Sequence, residues 1–137
     1  MSVEVERAAV EAANEAFYNA FEAMDIERMQ QLWDDADDTV CVHPGWPALR
    51  GPSRIMRSWA VIFANTAYIQ FFLTDTEVLV ADDIAVVRCG ENIMTAPDEP
   101  GSDATVVATN IFRRRPDGWR LWLHHASPVL SGEPPDE

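Results

Sequence analysis

The feature that most constrains the fold is a strand–turn–strand segment near the end of the chain. Residues 104–112 are rich in β-branched side chains and residues 119–127 in aromatic and aliphatic ones, so both stretches predict strands. Between them lies Pro116-Asp117-Gly118, in which proline presets φ and glycine accepts a left-handed conformation. We therefore predict a hairpin with a three-residue loop and a bulge at Gly118.

This turn sets the register in which the two strands pair, beginning with Arg115 opposite Trp119. The predicted pairs are Phe112–Trp122, Asn110–His124 and Ala108–Ala126 on one face, and Ile111–Leu123 and Thr109–His125 on the other. The first face has aromatic residues at one end, a polar pair in the middle and alanines at the other, which is typical of a pocket wall. The alternative interpretation is a core strand pair with one satisfied amide–imidazole hydrogen bond.

Composition and charge exclude several classes of protein. The chain has 137 residues, and its 23 acidic residues against 10 basic ones give a net charge of −13. Such a surface is a poor partner for nucleic acid or for an anionic membrane. Without a run of roughly 18 apolar residues or a leader-like segment, we expect a soluble, cytoplasmic protein. Cys41 and Cys89 are then free thiols, and no Cys/His spacing predicts a metal site or a cofactor.

Helical patterns come first in the chain and strand patterns last. The predicted elements are a helix over Val3–Met24, a second helix capped by Asp25, a strand over Thr39–His43, a third helix that opens at Pro52, and strands over Tyr68–Val80 and Ile84–Thr95 before the hairpin, with turns at Asp82-Asp83 and at 97–102. Segregated helices and strands predict an α+β fold. We expect three helices packed on a strongly curved, mainly antiparallel sheet, forming a cone with an internal pocket. One domain should span residues 1–130, followed by a disordered tail at 131–137.

Several short motifs resemble the SnoaL-like branch of the nuclear transport factor 2-like superfamily. They are Phe21 and Met24-Asp25 followed by Leu32-Trp33, then His43-Pro44-Gly45-Trp46 with Gly51, then Arg88-Cys89-Gly90-Glu91-Asn92, and finally Asp117-Gly118-Trp119 with His124-His125-Ala126-Ser127. The resemblance covers nearly the whole chain, about residues 5–130, and the last motif is the most specific. It implies a conical α+β fold, usually dimeric through the sheet, with a pocket inside the cone.

The superfamily includes ketosteroid isomerase, scytalone dehydratase, polyketide cyclases and the non-enzymatic association domain of calcium/calmodulin-dependent kinase. The pattern of that association domain is similar here at Glu91, Asn110 and Ala126, which implies that all three side chains point inward. The sequence also departs from the enzymes. No catalytic aspartate of the isomerase or the cyclases matches a position here, and with only Tyr18 and Tyr68 there is no tyrosine-rich oxyanion site.

Three residues are candidates for acid–base chemistry: His124, Glu91 and His43. A carboxylate that faces an apolar cone needs a partner, and His124 or Asn110 could supply it. A Glu91–His124 pair would be either an acid–base couple or a structural ion pair. His43 stands where a strand ends and a loop begins, so it is either a general base near the pocket mouth or a structural partner of the loop.

The candidate ligand-pocket residues are Trp46, Asn110, Tyr18, Trp59, Phe112, Trp122 and Ala126. Tryptophan is more often a core residue than a substrate platform, and Trp46 is favoured as the exception because it lies on a loop. Two functions remain open: cofactor-free proton-transfer chemistry (isomerisation, cyclisation or dehydration) on a small apolar molecule, or a non-catalytic ligand-binding or assembly module.

The second face of the hairpin is too apolar to lie in water. Its residues are Trp119, Leu121, Leu123, Ile111, Thr109 and Val107. Because the helices can cover only the concave side of the sheet, we expect a homodimer through the convex face.

Overall fold

The computed structural model describes residues 2–95 and 104–130. The elements in chain order are α1 (Val3–Ala23), α2 (Ile26–Leu32), β1 (Val40–Val42), β2 (Leu49–Arg50), α3 (Pro52–Ala64), β3 (Gln70–Ala81), β4 (Ile84–Met94), β5 (Ala104–Arg115) and β6 (Gly118–Pro128). The turn expected at 97–102 and the tail expected at 131–137 lie outside the described residues.

Local capping explains where the helices begin. The Ser2 side chain accepts a hydrogen bond from the backbone N–H of Val5, and the Asp25 side chain caps α2 by accepting from Arg28 at 3.1 Å. Helix α3 begins after Gly51, which has a φ of +94°, and Pro52 occupies the first turn, where its missing N–H costs nothing. The three predicted helices are therefore confirmed. None of the described helices is both long and apolar enough to cross a membrane.

The strands form one six-stranded sheet in the order β2-β1-β6-β5-β4-β3. The four long strands pair antiparallel, as predicted, while β1 runs parallel to β6 and the short strand β2, which was not predicted, extends the edge beyond β1. A bulge in β3, where Asp75 has a φ of +53°, breaks the β3–β4 register between Thr74 and Glu77. Such bulges bend a strand, and the sheet is open and curled around the helices. The α+β cone fold is confirmed.

The hairpin register is confirmed away from the turn and wrong beside it. Asn110 pairs with His124, and the pairs on either side of it also match the prediction. Nearer the turn, Phe112 pairs with Leu121 instead of Trp122. The bulge lies between the pairs Ile111–Leu123 and Phe112–Leu121, and not at Gly118. Trp122 is the extra residue. Its indole contacts Asp38 and Arg113 outside the cone, while Leu121 is fully buried.

Helices α1 and α3 cover the concave face of the sheet with aromatic side chains. Phe17 lies at the centre of this layer, with its ring 5.7 Å from that of Trp59 and 4.9 Å from the imidazole of His124, measured between centroids. Tyr18 and Phe71 extend the layer towards β3 and β4. The conical interior is therefore packed with aromatic side chains around a few polar groups.

The convex face carries a row of apolar residues across five strands. Successive cross-strand partners in this row are Leu79, Val86, Ile111, Leu123 and Val40. The expectation that Leu121 and Trp119 belong to this face is wrong. The bulge turns Leu121 into the core, and Trp119, two residues before it, lies on the same face and packs against the core. The remaining convex residues of the hairpin are partly or well exposed, with Val107 at 43%.

Candidate functional site

A row of side chains on the concave face of the sheet forms the base of the candidate site. Cys41 on β1, His124 on β6, Asn110 on β5 and Val87 on β4 are successive cross-strand partners. All four are buried, and Tyr18 reaches this layer from α1. Alternation along each strand places these residues on one face, so the sheet register alone brings the amide and the imidazole together.

Asn110 lies at the centre of the polar network. Its Nδ2 donates to Asn14 Oδ1 at 2.9 Å and to Tyr18 Oη at 3.2 Å, so its Oδ1 is the acceptor for His124 Nδ1 at 2.5 Å. His124 is thus neutral, with its proton on Nδ1 and a lone pair on Nε2. Burial, with smaller contributions from His43 and His125, lowers the pKa of His124 to about 3.

Tyr18 joins this amide to a buried carboxylate. The phenol accepts from Asn110 and donates to Glu91, and the thiol of Cys89 lies 3.5 Å from the same oxygen. Glu91 is 2% exposed. Burial raises the pKa of Glu91 to about 7, although the hydrogen bond from Tyr18 acts in the opposite direction. Burial and the neighbouring carboxylate also raise the pKa of Tyr18.

A second neutral histidine lies beside the first. Ser58 Oγ donates to the carbonyl of Ile55 at 2.6 Å, so His43 Nε2–H donates to Ser58 Oγ, 2.9 Å away. The ring of His43 is 6.5 Å from that of His124 between centroids. Burial lowers the pKa of His43 to about 4. His43, predicted at the point where a strand ends and a loop begins, is buried.

Trp59 reaches both histidines from α3. It is fully buried, and its ring centroid lies 4.7 Å from that of His43 and 6.1 Å from that of His124. Its indole N–H has no hydrogen-bond acceptor among the described residues. Buried donors are rarely left unpaired in folded proteins, so this N–H is available to a ligand oxygen.

These pKa directions assign different roles to the ionisable groups. At neutral pH both His43 and His124 are uncharged and are weak bases, since their pKa values lie near 4 and 3. Glu91, with a pKa of about 7, is the group whose protonation changes near neutrality. A base works best when its pKa lies near the working pH, so Glu91 is the strongest candidate for proton transfer.

Comparison with known proteins assigns the fold to a family. The SnoaL-like domain family matches residues 10–131 of this chain. The chain belongs to the SnoaL-like family. A comparison with curated proteins found no match.

Two solved structures are similar to this SnoaL-like domain in both sequence and fold. A candidate dehydratase of the nuclear transport factor 2-like family from Streptomyces avermitilis is 50% identical, with a TM-score of 0.88, and the match covers 95% of this chain and 100% of that one. A candidate association domain of calcium/calmodulin-dependent protein kinase type II from Thiobacillus denitrificans is 33% identical, with a TM-score of 0.81. The match covers 88% of this chain and 94% of that one. A candidate aromatic ring hydroxylase from Novosphingobium aromaticivorans, at 20% identity and a TM-score of 0.79, shares the fold.

Most of the candidate residues predicted from the sequence lie together inside the SnoaL-like cone. The buried ones are Tyr18, His43, Trp59, Glu91, Asn110, Phe112, His124 and Ala126. Trp122 does not join them, and the prediction that it lines the interior is wrong: its Nε1 donates to Asp38, and the guanidinium of Arg113 stacks on its ring. Trp46 is 39% exposed, and its ring lies 4.9 Å from that of His43 between centroids.

The expected direct pair between Glu91 and His124 is also wrong. Tyr18 and Asn110 stand between these residues, each making one hydrogen bond towards each side. The prediction failed because it placed partners by sheet face alone and did not consider which helical side chains reach the sheet. Tyr18 was predicted to reach the cavity. Its hydrogen bonds to both Glu91 and Asn110 were not predicted.

Three participants were missed by the sequence analysis: Asn14, Ser58 and Cys89. Asn14 follows Val10 by four residues and precedes Phe17 by three, so its position on the apolar stripe of α1 was a usable signal. Ser58 lies next to the predicted apolar residue Trp59 in α3 and carries no such signal. Cys89 stands two residues before Glu91 on the same strand, and alternation alone puts both on one face.

Several clefts open on the surface of the described part of the protein. One of about 520 Å³ lies between α2 and the hairpin tip, where Arg115 and Asp34 form an ion pair. Another of about 380 Å³ lies along α3 beside Trp46. Neither is lined by Glu91 or Asn110, so the polar network of the cone lies beneath packed side chains.

Proposed function

We propose that this SnoaL-like domain catalyses cofactor-free proton transfer on a small, mostly apolar carbonyl compound, with dehydration of a β-hydroxycarbonyl as the preferred reaction. Glu91 is the base and Tyr18 the proton donor. One observation carries the proposal: a buried carboxylate with a pKa of about 7 shares a hydrogen bond with a buried phenol. The name of the 50%-identical candidate dehydratase supports the choice among proton-transfer reactions.

The reaction balances without a cofactor. The Glu91 carboxylate takes a proton from the carbon next to the substrate carbonyl. The electron pair of that C–H bond forms a C=C bond as the C–O bond to the β-hydroxyl breaks. The hydroxyl leaves as water with the proton of Tyr18, and the products are one enone and one water molecule.

The hydrogen bond between Glu91 and Tyr18 couples the two proton movements. The negative charge of Glu91 is one of the causes that raise the pKa of Tyr18. When Glu91 takes up the substrate proton, that charge disappears and the phenol becomes a better acid. After water leaves, the protonated carboxyl returns its proton to the phenolate along the same hydrogen bond, which restores both groups.

Asn110 and His124 act in this scheme as positioning residues. Asn110 holds the Tyr18 oxygen with its Nδ2, and His124 fixes the amide orientation by donating to Oδ1. The Trp59 N–H would donate to the substrate carbonyl, where negative charge develops as the proton is removed. A neutral substrate suits this interior, which is lined by aromatic rings and neutral polar groups.

Access to the carboxylate requires movement of an aromatic side chain. Phe71 packs against Tyr18, with ring centroids 5.1 Å apart, and against Phe21 at 4.6 Å. It is 8% exposed, while Phe17 and Trp59 of the same aromatic layer are fully buried. We therefore place the route for a substrate at Phe71.

The test uses a defined probe, since the natural substrate is not identified. 4-Hydroxy-4-phenylbutan-2-one dehydrates to an ultraviolet-absorbing enone, and proton removal alone is followed by deuterium exchange next to its carbonyl in D₂O by NMR. We expect Glu91→Gln to lower both rates about a hundredfold or more, as for a lost general base. Tyr18→Phe should slow dehydration more than exchange, because the phenol acts on the leaving hydroxyl.

The matched control is Glu77→Gln, which removes an exposed carboxylate on β3. It should leave both rates unchanged, and melting temperatures of all variants verify folding. The wild-type rate should rise with pH through about 7 as Glu91 ionises. Turnover that is equal in wild type and Glu91→Gln, or no acceleration over buffer across β-hydroxyketones and β-hydroxyesters, would overturn the proposal.

The alternative function is a non-catalytic binding or assembly module. The packed interior favours it, because Glu91, Asn110 and His124 all have protein partners and lie beneath aromatic rings. The name of the 33%-identical candidate association domain supports the same possibility. In that case the wild type has no catalytic rate, and Glu91→Gln changes only the stability. Measuring rate and melting temperature on the same variants distinguishes the two functions.

A further inference from the structure

A groove along α3 lies outside the cone and plays no part in the proton-transfer proposal. It has a volume of about 380 Å³. We call it the α3 groove. Its lining residues are Trp46, Leu49, Arg54, Arg57, Ser58 and Val61. Residues 54, 57, 58 and 61 recur at helical spacing, so they lie on one face of α3. The opposite wall comes from Trp46 in the loop that follows β1 and from Leu49 in β2.

The charge of the groove is opposite to that of the protein. The chain carries a net charge of −13, yet the groove is lined by two guanidinium groups and by no carboxylate. Among the described residues, neither Arg54 nor Arg57 forms an ion pair. In the cleft at the hairpin tip, by contrast, Arg115 and Arg120 are each paired with an aspartate. The α3 groove therefore has unneutralised positive charge.

Apart from the buried Ser58, the other lining residues are apolar and at least partly exposed. Trp46 is 39% exposed and Val61 is 49% exposed, while Leu49 is half-buried. An exposed indole beside aliphatic side chains offers a flat surface on which an aromatic ring can stack. Guanidinium groups bind carboxylates through charge-assisted hydrogen bonds. A single ligand that has both a flat apolar ring and one anionic group would use both parts of the lining.

We propose that the α3 groove binds a small aromatic carboxylate, with its ring on Trp46 and its carboxylate between Arg54 and Arg57. The floor of the groove is Ser58, whose Oγ accepts a hydrogen bond from His43 inside the cone. A ligand in the groove should therefore change the environment of the buried His43 through Ser58. The proposal does not depend on Glu91 or on any chemistry in the interior.

The probe for the test is 2-naphthoate, titrated into the 137-residue chain and followed by indole fluorescence and by the imidazole NMR signals. The chain has three histidines, so the His43 signal can be assigned by substitution. We expect saturable binding that shifts the His43 signal and weakens at high salt. The neutral analogue 2-naphthamide should bind at least about tenfold more weakly, because it cannot form the charge-assisted hydrogen bonds.

Two variants with equal charge separate local binding from the net charge of the protein. The double variant Arg54→Gln, Arg57→Gln should lose at least about tenfold in affinity, the cost of a lost charge-assisted hydrogen bond. The control double variant Arg7→Gln, Arg28→Gln removes the same charge from α1 and α2 and should bind like wild type. As a second route, Val61→Glu should abolish binding, whereas Ala12→Glu, on the exposed face of α1, should not.

Each other outcome counts against the proposal. No saturable binding of 2-naphthoate, or equal losses in the two double variants, would overturn the groove as a specific site. Tighter binding of 2-naphthyl phosphate than of 2-naphthoate would overturn the choice of a carboxylate. Binding that is unaffected by Trp46→Ala would overturn the placement of the ring. Glu91→Gln should leave the affinity unchanged, so failure here and failure of the proton-transfer proposal are distinguishable.

Discussion

The two faces of the curved sheet differ in what covers them. The concave face carries a polar pair, Asn110 and His124, that is fully covered by α1 and its aromatic side chains. The convex face, one residue further along the same strands, carries the apolar row that contains Ile111 and Leu123. Asn110 has no exposed surface, whereas Leu79 at the end of the convex row is 69% exposed.

This contrast shows that the packing over a face, and not the polarity of its residues alone, decides which side chains the face can hold. The concave face tolerates polar groups because they hydrogen-bond one another and because burial keeps His124 and His43 uncharged. The convex face has no helix over it among the described residues, and its apolar row is available to another protein surface. Function is therefore expected from both faces, chemistry on the concave one and assembly on the convex one.

The largest expected effect comes from removing the central amide of the concave face. Asn110→Ala leaves Asn14, Tyr18 and His124 each without one hydrogen-bond partner in a place that water does not reach. We expect a loss of about 4 kcal/mol in the free energy of unfolding, since each unsatisfied buried group costs about 1–3 kcal/mol. Urea unfolding measures this value.

The matched control is the same substitution on the convex side of the neighbouring strand. Asn92→Ala removes hydrogen bonds to Phe72 and Thr74 that are exposed to solvent. Because water replaces them, the cost should stay below about 1 kcal/mol. Similar losses in the two variants would mean that the concave network is not sealed from water.

The next effect is a pH dependence of the free energy of unfolding, caused by Glu91 on the concave face. The pKa of Glu91 is raised from 4.5 to about 7. Below pH 4.5 the carboxyl is protonated in both the folded and the unfolded chain. Between pH 4.5 and 7 it ionises only in the unfolded chain, so the stabilisation present at low pH is lost as pH rises, by roughly 3 kcal/mol in total.

Comparison with Glu91→Gln isolates this contribution, because glutamine keeps an oxygen for the Tyr18 hydroxyl and does not titrate. The free energy of unfolding of wild type relative to the variant should fall between pH 4.5 and 7 and stay constant above that range. The histidine contributions cancel in the difference. Glu77→Gln, which removes an exposed carboxylate, should show no such trend. Parallel curves for wild type and Glu91→Gln would contradict a raised pKa.

On the convex face, the expected effect is on assembly. We propose a homodimer through the apolar row, since about 800 Å² per partner is needed for a stable interface and the row spans five strands. Ile111→Lys puts a charge at its centre and should weaken dimerisation at least about a hundredfold. Sedimentation equilibrium at micromolar concentration measures it. Ala12→Lys on α1 is the control, and a monomeric wild type would disprove the interface.

The sequence predicted both faces because alternation and turn chemistry act locally. From Ala108 to Ile111 the predicted pairing agrees with the structure. The turn itself differs, because Arg115 pairs with Gly118, and the agreement is kept because the one extra residue of β6 lies at Trp122 instead of at the turn. The Glu91–Tyr18–Asn110 chain could not be derived in this way, because it depends on how α1 crosses the sheet. The position of the bulge was missed for a similar reason, since it depends on contacts of Trp122 with the loop after α2.

The smallest expected effect tests that bulge. Trp122 lies outside the cone, where its Nε1 donates to Asp38 at 3.1 Å and the Arg113 guanidinium is 3.8 Å from its ring centroid. Trp122→Phe keeps an aromatic ring for the arginine and removes only a solvent-exposed hydrogen bond. The free energy of unfolding should therefore fall by about 1 kcal/mol or less.

The neighbouring residue provides the contrast, because Leu121 is fully buried on the concave side of the same bulge. Leu121→Ala should cost about 2–5 kcal/mol, as for other buried leucines. If the bulge lay at Gly118, the two residues would exchange faces and Trp122→Phe would be the more costly change. Comparing the free energies of unfolding of the two variants, measured with denaturant, therefore shows which of these adjacent side chains faces the core.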